Sequence, residues 1–332
     1  MSAAEFLHTD AETGLCERYT VAGVVFSFST NCQQLLEAAR DSFLPAALAP
    51  VSVDFSLRFW VDEADRAQPP WPKPYVRGLS HLVFAGFDIR SSMLIDLRTR
   101  RVIGRFSASM AADSAYWRTV IFPMLLSVLA GSVGFIELHA ACVATDQGGL
   151  VLIGPSCSGK STLAMAFTEA GFRLLSDDRT FCSLNQGNLI ARGMARPLKL
   201  RREAAAWFEE LRHREPTGVQ NGERVFHCEP NRRFGRQNRP ECAPRLLVFL
   251  ERQQSPGFYM TPMRRSDARS RIEKDLMPEH PDAAQKQAET IDHLLALPCW
   301  HLRYGGRPQM IVEQIRESLL RNSEWRSLGG TP

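Results

Sequence analysis

The chain of 332 residues carries 40 Lys and Arg against 36 Asp and Glu and is 44% apolar, so it can bury two ordinary cores, while a net charge of +4 leaves no electrostatic footprint for nucleic acid. Its 8 cysteines form no C-x-x-C pair and read as free thiols of a reducing cytoplasm, which excludes a disulfide framework. The first residues are acidic and lack an apolar run, so no secretory signal is expected.

Residues 1–115 predict an accessory α+β domain without a catalytic signature. Residues 21–29 and 53–61 are rich in β-branched and aromatic side chains with partial alternation, the pattern of half-buried strands. Between them, 31–43 reads as a helix with Asn31 as its cap. Residues 68–74 form a proline-rich loop, and 80–106 predict further strands with a hairpin near Arg98 to Arg101.

A second domain is expected over 116–325. It opens on 119–136, a stretch without a charge and of a length that invites a membrane span. Pro123, Ser127, Gly131, Ser132 and Gly134 dilute it, so a buried helix and no membrane are expected. Residues 135–145 read as a strand closed by the turn Asp146-Gln147-Gly148-Gly149. The apolar run 150–154 fits a buried strand, and a helix follows with Gly171 as its stop. Residues 172–178 are a second strand ending in two acids, and 179–184 and 189–194 flank a β-turn at 185–188. Then come a helix over 201–214, a long polar loop over 213–244 with a short strand at 224–228, and a strand over 245–252. Helices over 266–276 and 281–297, a strand over 299–305 and a helix opened by Pro308 complete the chain.

Chemistry concentrates at GPSCSGKST, residues 154–162, a G-x-x-x-x-G-K-[ST] pattern between a predicted strand and a predicted helix. Gly154 and Gly159 allow backbone angles other residues avoid, so successive amides through Ser156, Ser158 and Thr162 can turn toward phosphate oxygens. The helix start adds its free amides and dipole. Lys160 is placed to bind the β- and γ-phosphates and the Ser161 hydroxyl to ligate Mg²⁺, which points to ATP with magnesium. Asp177 and Asp178 end the next strand, where one acid can bind the metal and the other accept a proton. His139 lies one strand earlier. Alone it reads as a satisfied core histidine; beside a carboxylate it can orient it.

Residues 138–178 as a whole resemble the catalytic core of the bacterial HPr kinase/phosphorylase family and its kinase relatives. The resemblance implies an α/β fold with a phosphate-loop kinase core like that of phosphoenolpyruvate carboxykinase, its mixed sheet built around the loop. It implies Asp177 as base toward a serine hydroxyl, His139 assisting it, Lys160 on the phosphates and Asp178 near the metal, with the division between the two acids left open. The chain departs from the family at Ile190, where a metal-supporting Glu is usual, and at 196–201, where RPLKLR replaces a Gly-rich run. The resemblance covers 136–200, and the N-terminal domain does not resemble the family's regulatory domain. This fits a divergent relative that phosphorylates a serine of a protein or ribosomal precursor peptide. A homo-oligomer is left open, since the founding family is hexameric.

The basic run Arg232, Arg233, Arg236 and Arg239 reads either as a solvated loop or as a clamp on an anion. One of these arginines, or Arg192, is the candidate for stabilising the transferring phosphoryl group. His213, His227, Cys228 and Cys242 match no zinc spacing. The expectation is an ATP- and Mg²⁺-dependent kinase acting on a hydroxyl. A non-catalytic ATP-binding switch and a small-molecule kinase stand as alternatives.

Overall fold

The computed structural model describes residues 13–46, 53–62, 68–193, 197–220, 223–235, 241–274, 276 and 281–321. They form a mixed α/β structure with large mixed sheets. The chain divides into two compact units: Met1–Val133 with Pro278–Gln285, and Gly134–Met277 with Lys286–Pro332.

The first unit holds an eight-stranded sheet. Its strands are β1 (Leu15–Val21), β2 (Val24–Thr30), β3 (Leu44–Pro45), β4 (Phe55–Asp62), β5 (Tyr75–Leu79), β6 (Leu82–Gly86), β7 (Ser92–Asp96) and β8 (Arg101–Ser107), in the order β3-β1-β2-β4-β8-β7-β6-β5. β1, absent from the sequence reading, turns into β2 at Ala22 and Gly23, both at positive φ. Asn31 does not cap the helix Gln33–Arg40. Its side chain instead donates to the Val61 carbonyl (3.0 Å) and accepts from the Val61 amide (2.7 Å), tying the helix entry to β4.

The Ser114–Ser132 helix is long and apolar enough to cross a membrane by length and composition. Here it buries Trp117, Ile121, Phe122 and Leu125 completely. Trp117 lies 4.6 Å from Phe106 and 5.1 Å from Phe122 between ring centroids, in an aromatic cluster that continues through Phe59 to Phe28.

The second unit is built on β9 (Ile136–Ala144), β10 (Gly149–Ile153), β11 (Arg173–Ser176), β12 (Arg179–Asn185), β13 (Asn188–Gly193), β14 (Leu198–Arg201), β15 (Gly218–Gln220), β16 (Glu223–Cys228), β17 (Glu241–Cys242), β18 (Pro244–Arg252), β19 (Gly257–Pro262) and β20 (Cys299–Gly305). Nine of these make one sheet in the order β17-β13-β12-β9-β10-β18-β20-β19, with β11 also on β9; β14, β16 and β15 make a second, small sheet. Alternation within β10 faces both ways: Leu150 and Leu152 pack under the helices Lys160–Glu169 and Pro308–Arg321, Val151 and Ile153 against Arg265–Glu273 and Pro281–Leu295. β10, β18 and β20 run parallel, so their carboxyl ends open on the same side, where α/β sheets collect ligands.

Two sequence expectations change. The helix expected over 201–214 is only a turn of helix, Arg202–Ala205, and a 3₁₀ turn, Glu209–Leu211, because the chain unwinds to bury Phe208 in the core. The stretch 213–244 is not one loop with one strand: its described residues include β15, β16, the short helix Pro230–Arg233 and β17.

Candidate functional site

At the end of β10 the chain must reverse into the helix Lys160–Glu169 over a few residues, and the two glycines let it. A Cβ at Gly154 would press on the Ser158 hydroxyl and the Leu250 carbonyl. Gly159 has φ 90° and no room for a Cβ, which would run into the Tyr304 hydroxyl. Tyr304, buried on β20, donates to the Ser158 carbonyl at 2.7 Å and so pins the loop from the neighbouring strand. No side chain caps the helix, which leaves its first-turn amides to an incoming group. Lys160, only 6% exposed, donates from Nζ to the Gly154 and Pro155 carbonyls at 2.7 and 3.0 Å. Its charge is thereby held over the loop.

The acids come from the corner between β11 and β12. Asp177 is half-buried, and the burial of its carboxyl pushes it up to about 6; the Ser161 hydroxyl and the Lys199 amide, which lower it, do not offset this. Oδ2 accepts from the Lys199 amide at 2.7 Å, while Oδ1 is buried with no hydrogen-bond partner. Asp178 is different. His139 holds its carboxyl below the usual range by a hydrogen bond, against the burial that would raise it, with the charges of Arg179 and Lys160 helping. His139 Nε2 lies 3.1 Å from Asp178 Oδ1, and the Asp178 side chain is 64% exposed. The cause is register: Arg179 on β12 pairs with His139 on β9, which sets the preceding residue against the imidazole. His139 thus stands against Asp178, and the acid beside the Ser161 hydroxyl is Asp177.

These groups share a cavity of about 470 Å³. Ser156, Gly159, Lys160, Ser161 and Thr162 line it together with Asp177, Asp178 and His139, and its remaining lining mixes apolar Leu200, Ala204 and Val225 with charged side chains. Gly154 and Ser158 stay beneath the loop. The Ser158 amide donates to the Pro155 carbonyl at 3.2 Å, so Ser158 braces the loop rather than facing the cavity.

Of the arginines expected at the site, the three described ones are elsewhere. Arg192 donates to the Ser183 hydroxyl at 2.7 Å and to Glu241 at 3.1 Å, away from the cavity. Arg232 pairs with Glu229 and Arg233 with Glu210; Arg236 and Arg239 lie outside the described residues. Those that do line the cavity, Arg179, Arg201 and Arg252, escaped the sequence reading. Position gives the signal in hindsight: each stands at the end of a strand next to the loop or the acids. Ile190 pairs with Ser183 and does not line the cavity. His227 lies 3.1 Å from the Thr217 hydroxyl, Cys242 3.9 Å from Cys142, and among the described residues no cluster of three or more His, Cys, Asp or Glu is placed to hold a metal by itself.

A metal would thus have to take few protein ligands and several others. The orphaned Oδ1 of Asp177 and the Ser161 hydroxyl are hard oxygens, the donors that suit Mg²⁺, which keeps waters and shares phosphate oxygens.

No family model matches the chain, and no curated protein does. Among solved structures it is similar to the HPr(Ser) kinase/phosphatase from Coxiella burnetii, with a TM-score of 0.31 at 14% identity, over 58% of this chain and 93% of that one. A TM-score of that size carries no argument about fold or function, and the reading of function rests on the geometry of the site.

Proposed function

We propose that the protein is an ATP-dependent phosphotransferase of the cytoplasm that moves the γ-phosphoryl group to a hydroxyl, that of a serine in a protein or peptide. One observation carries the reading: a buried carboxylate oxygen of Asp177 is left without a partner in the cavity that also holds Ser161, Lys160 and the exposed Asp178–His139 pair. A buried oxygen without a hydrogen bond costs about 1–3 kcal/mol, a cost that a bound ion would remove.

The loop 154–162 acts as a phosphate loop. Its free amides and the first turn of the Lys160–Glu169 helix receive phosphate oxygens, and Lys160 leaves the loop carbonyls for the β- and γ-phosphates. Ser161 and Asp177 would hold Mg²⁺, which when bound supplies charge neutralisation on the phosphates. Asp178, oriented by His139, accepts the proton of the attacking hydroxyl. This assigns base and metal ligand in the opposite sense to the family-based expectation, because Asp178 is the acid that an acceptor can reach. A pure ATP switch finds support only in Ile190, and it has no use for an exposed, histidine-oriented carboxylate.

The test is transfer of label from γ-labelled ATP to an array of serine-containing peptides, alongside MgATP binding by calorimetry. Wild type should label serine; Asp178→Asn should lower transfer by at least about 100-fold while binding MgATP within a few-fold of wild type. Asp177→Asn should instead lose the magnesium dependence of nucleotide binding. Wild type that binds MgATP but labels no hydroxyl would return the protein to the switch reading.

A further inference from the structure

We infer that Arg252 binds the γ-phosphate and stabilises it during transfer, an inference that rests on the phosphotransferase reading. Topology puts it there. β18 runs parallel to β10 with Phe249 beside Ile153, so Arg252 extends three residues past the end of β10, alongside the loop. Its register partner on β20 is Tyr304, whose hydroxyl holds the Ser158 carbonyl. The Arg252 stem passes over Gly159: a Cβ built on that glycine would lie 4.0 Å from Arg252 Cδ. Arg252 thereby lines the cavity that holds Lys160, Ser161 and the two acids.

Its electrostatics separate it from its neighbours. Arg179 donates to Glu137 at 2.6 Å, and Arg201 lies 3.0 Å from Glu223. Among the described residues the side chain of Arg252, alone of the cavity arginines, makes no ion pair or hydrogen bond. Its fork of donors matches the planar oxygens of a phosphoryl group in flight. In the step itself the bond from the γ-phosphorus to the β–γ bridging oxygen breaks, its electron pair leaving on ADP. The acceptor oxygen bonds to phosphorus, and its proton goes to Asp178. Arg252 exchanges no proton; it donates hydrogen bonds to the equatorial oxygens as charge spreads over them.

The experiment uses the full chain, with Arg252→Gln and Arg252→Lys, and reads turnover of γ-labelled ATP, with serine peptides or water as acceptor, together with binding of MgATP and MgADP. Arg252→Gln should lower turnover by about 100-fold or more and weaken MgATP at least about tenfold more than MgADP, which lacks the γ-group. Arg252→Lys should recover part of the affinity and little of the rate. Guanidinium ion at millimolar concentration should restore part of the turnover of Arg252→Ala, which a merely structural role would not allow. If wild type binds MgATP and turns it over while Arg252→Gln matches it in rate and in ATP-over-ADP preference, the inference falls and the phosphotransferase reading stands. Wild type that binds no MgATP overturns both.

Discussion

Gly159 concentrates the demands of the site on one residue. Its φ of 90° suits glycine, and the space its missing Cβ leaves is taken by the Tyr304 hydroxyl. Gly159→Ala therefore meets two obstacles, backbone strain of about 1 kcal/mol and a steric conflict with Tyr304. It should abolish MgATP-induced thermal stabilisation. Tyr304→Phe removes the hydroxyl and leaves the Ser158 carbonyl unpaired, at about 1 kcal/mol. Combined, the two should be less damaging than their sum, since deleting the hydroxyl removes the conflict; strict additivity in a double-mutant cycle on MgATP binding would refute this contact. At this scale much was legible in the sequence. Lys160, Ser161, Asp177 and Asp178, singled out by motif and position, and His139, singled out through the family resemblance, all line the one cavity. Their pairing was not, because register on β9 and β12 decides which acid meets the imidazole, and register is a tertiary property. Arg252 was hidden for a similar reason: it reads as the polar end of a strand until β18 is seen lying parallel to β10.

Elements were most legible where local chemistry fixes them. The turn 185–188 is a two-residue hairpin with Gln186 at φ 49° and Gly187 at φ 78°, the type I′ geometry that the Gly serves. β1 was missed because its sequence, LCERYTV, lacks a clean alternation, and pairing along β2 supplies what pattern does not. The stretch 201–214 was misjudged because its residues favour helix while the core's claim on Phe208 overrides them. The hairpin from β7 to β8 offers a test of a well-made turn. Burial would raise the Asp96 carboxyl, but amide hydrogen bonds from Thr99 and Arg98, at 3.1 and 2.9 Å, together with the Thr99 side chain, bring it below its ordinary value. A carboxyl depressed in the fold stabilises above the ordinary carboxylate range, and that stability is lost as pH falls through the folded value. Asp96→Asn should cost about 1 kcal/mol at neutral pH, and the difference should shrink below pH ~4, measured by urea unfolding. A difference that stays constant with pH would show that the charge of Asp96 contributes nothing.

The whole chain behaves, by its packing, as two cores. The Ser114–Ser132 helix belongs to the first, because Trp117 and Phe122 complete the aromatic cluster of Phe59 and Phe106; the division falls at Val133 rather than at the residue 115 expected from composition. The local mark there is Gly134, left-handed directly after the helix C-cap Val133, but within one uncharged run it reads as a diluent, and the aromatic partners say where the helix is buried. The second unit holds the entire candidate site, from His139 to Arg252 and Tyr304. A ligand that binds one core stabilises that core alone unless the two unfold together. Calorimetry of the full chain should therefore show two transitions, with MgATP moving only one. At a hundredfold excess over Kd the stabilisation is about 2.7 kcal/mol, which for a unit of this size is a rise of roughly 5 to 10 °C. The displaced transition can be assigned by Phe208→Ala, which empties a fully buried position in the second unit and should lower that transition alone. Phe59→Ala, in the first unit, should lower the other and leave the MgATP shift intact. A single transition that every variant and the nucleotide displace together would instead mean that the two cores fold as one cooperative body.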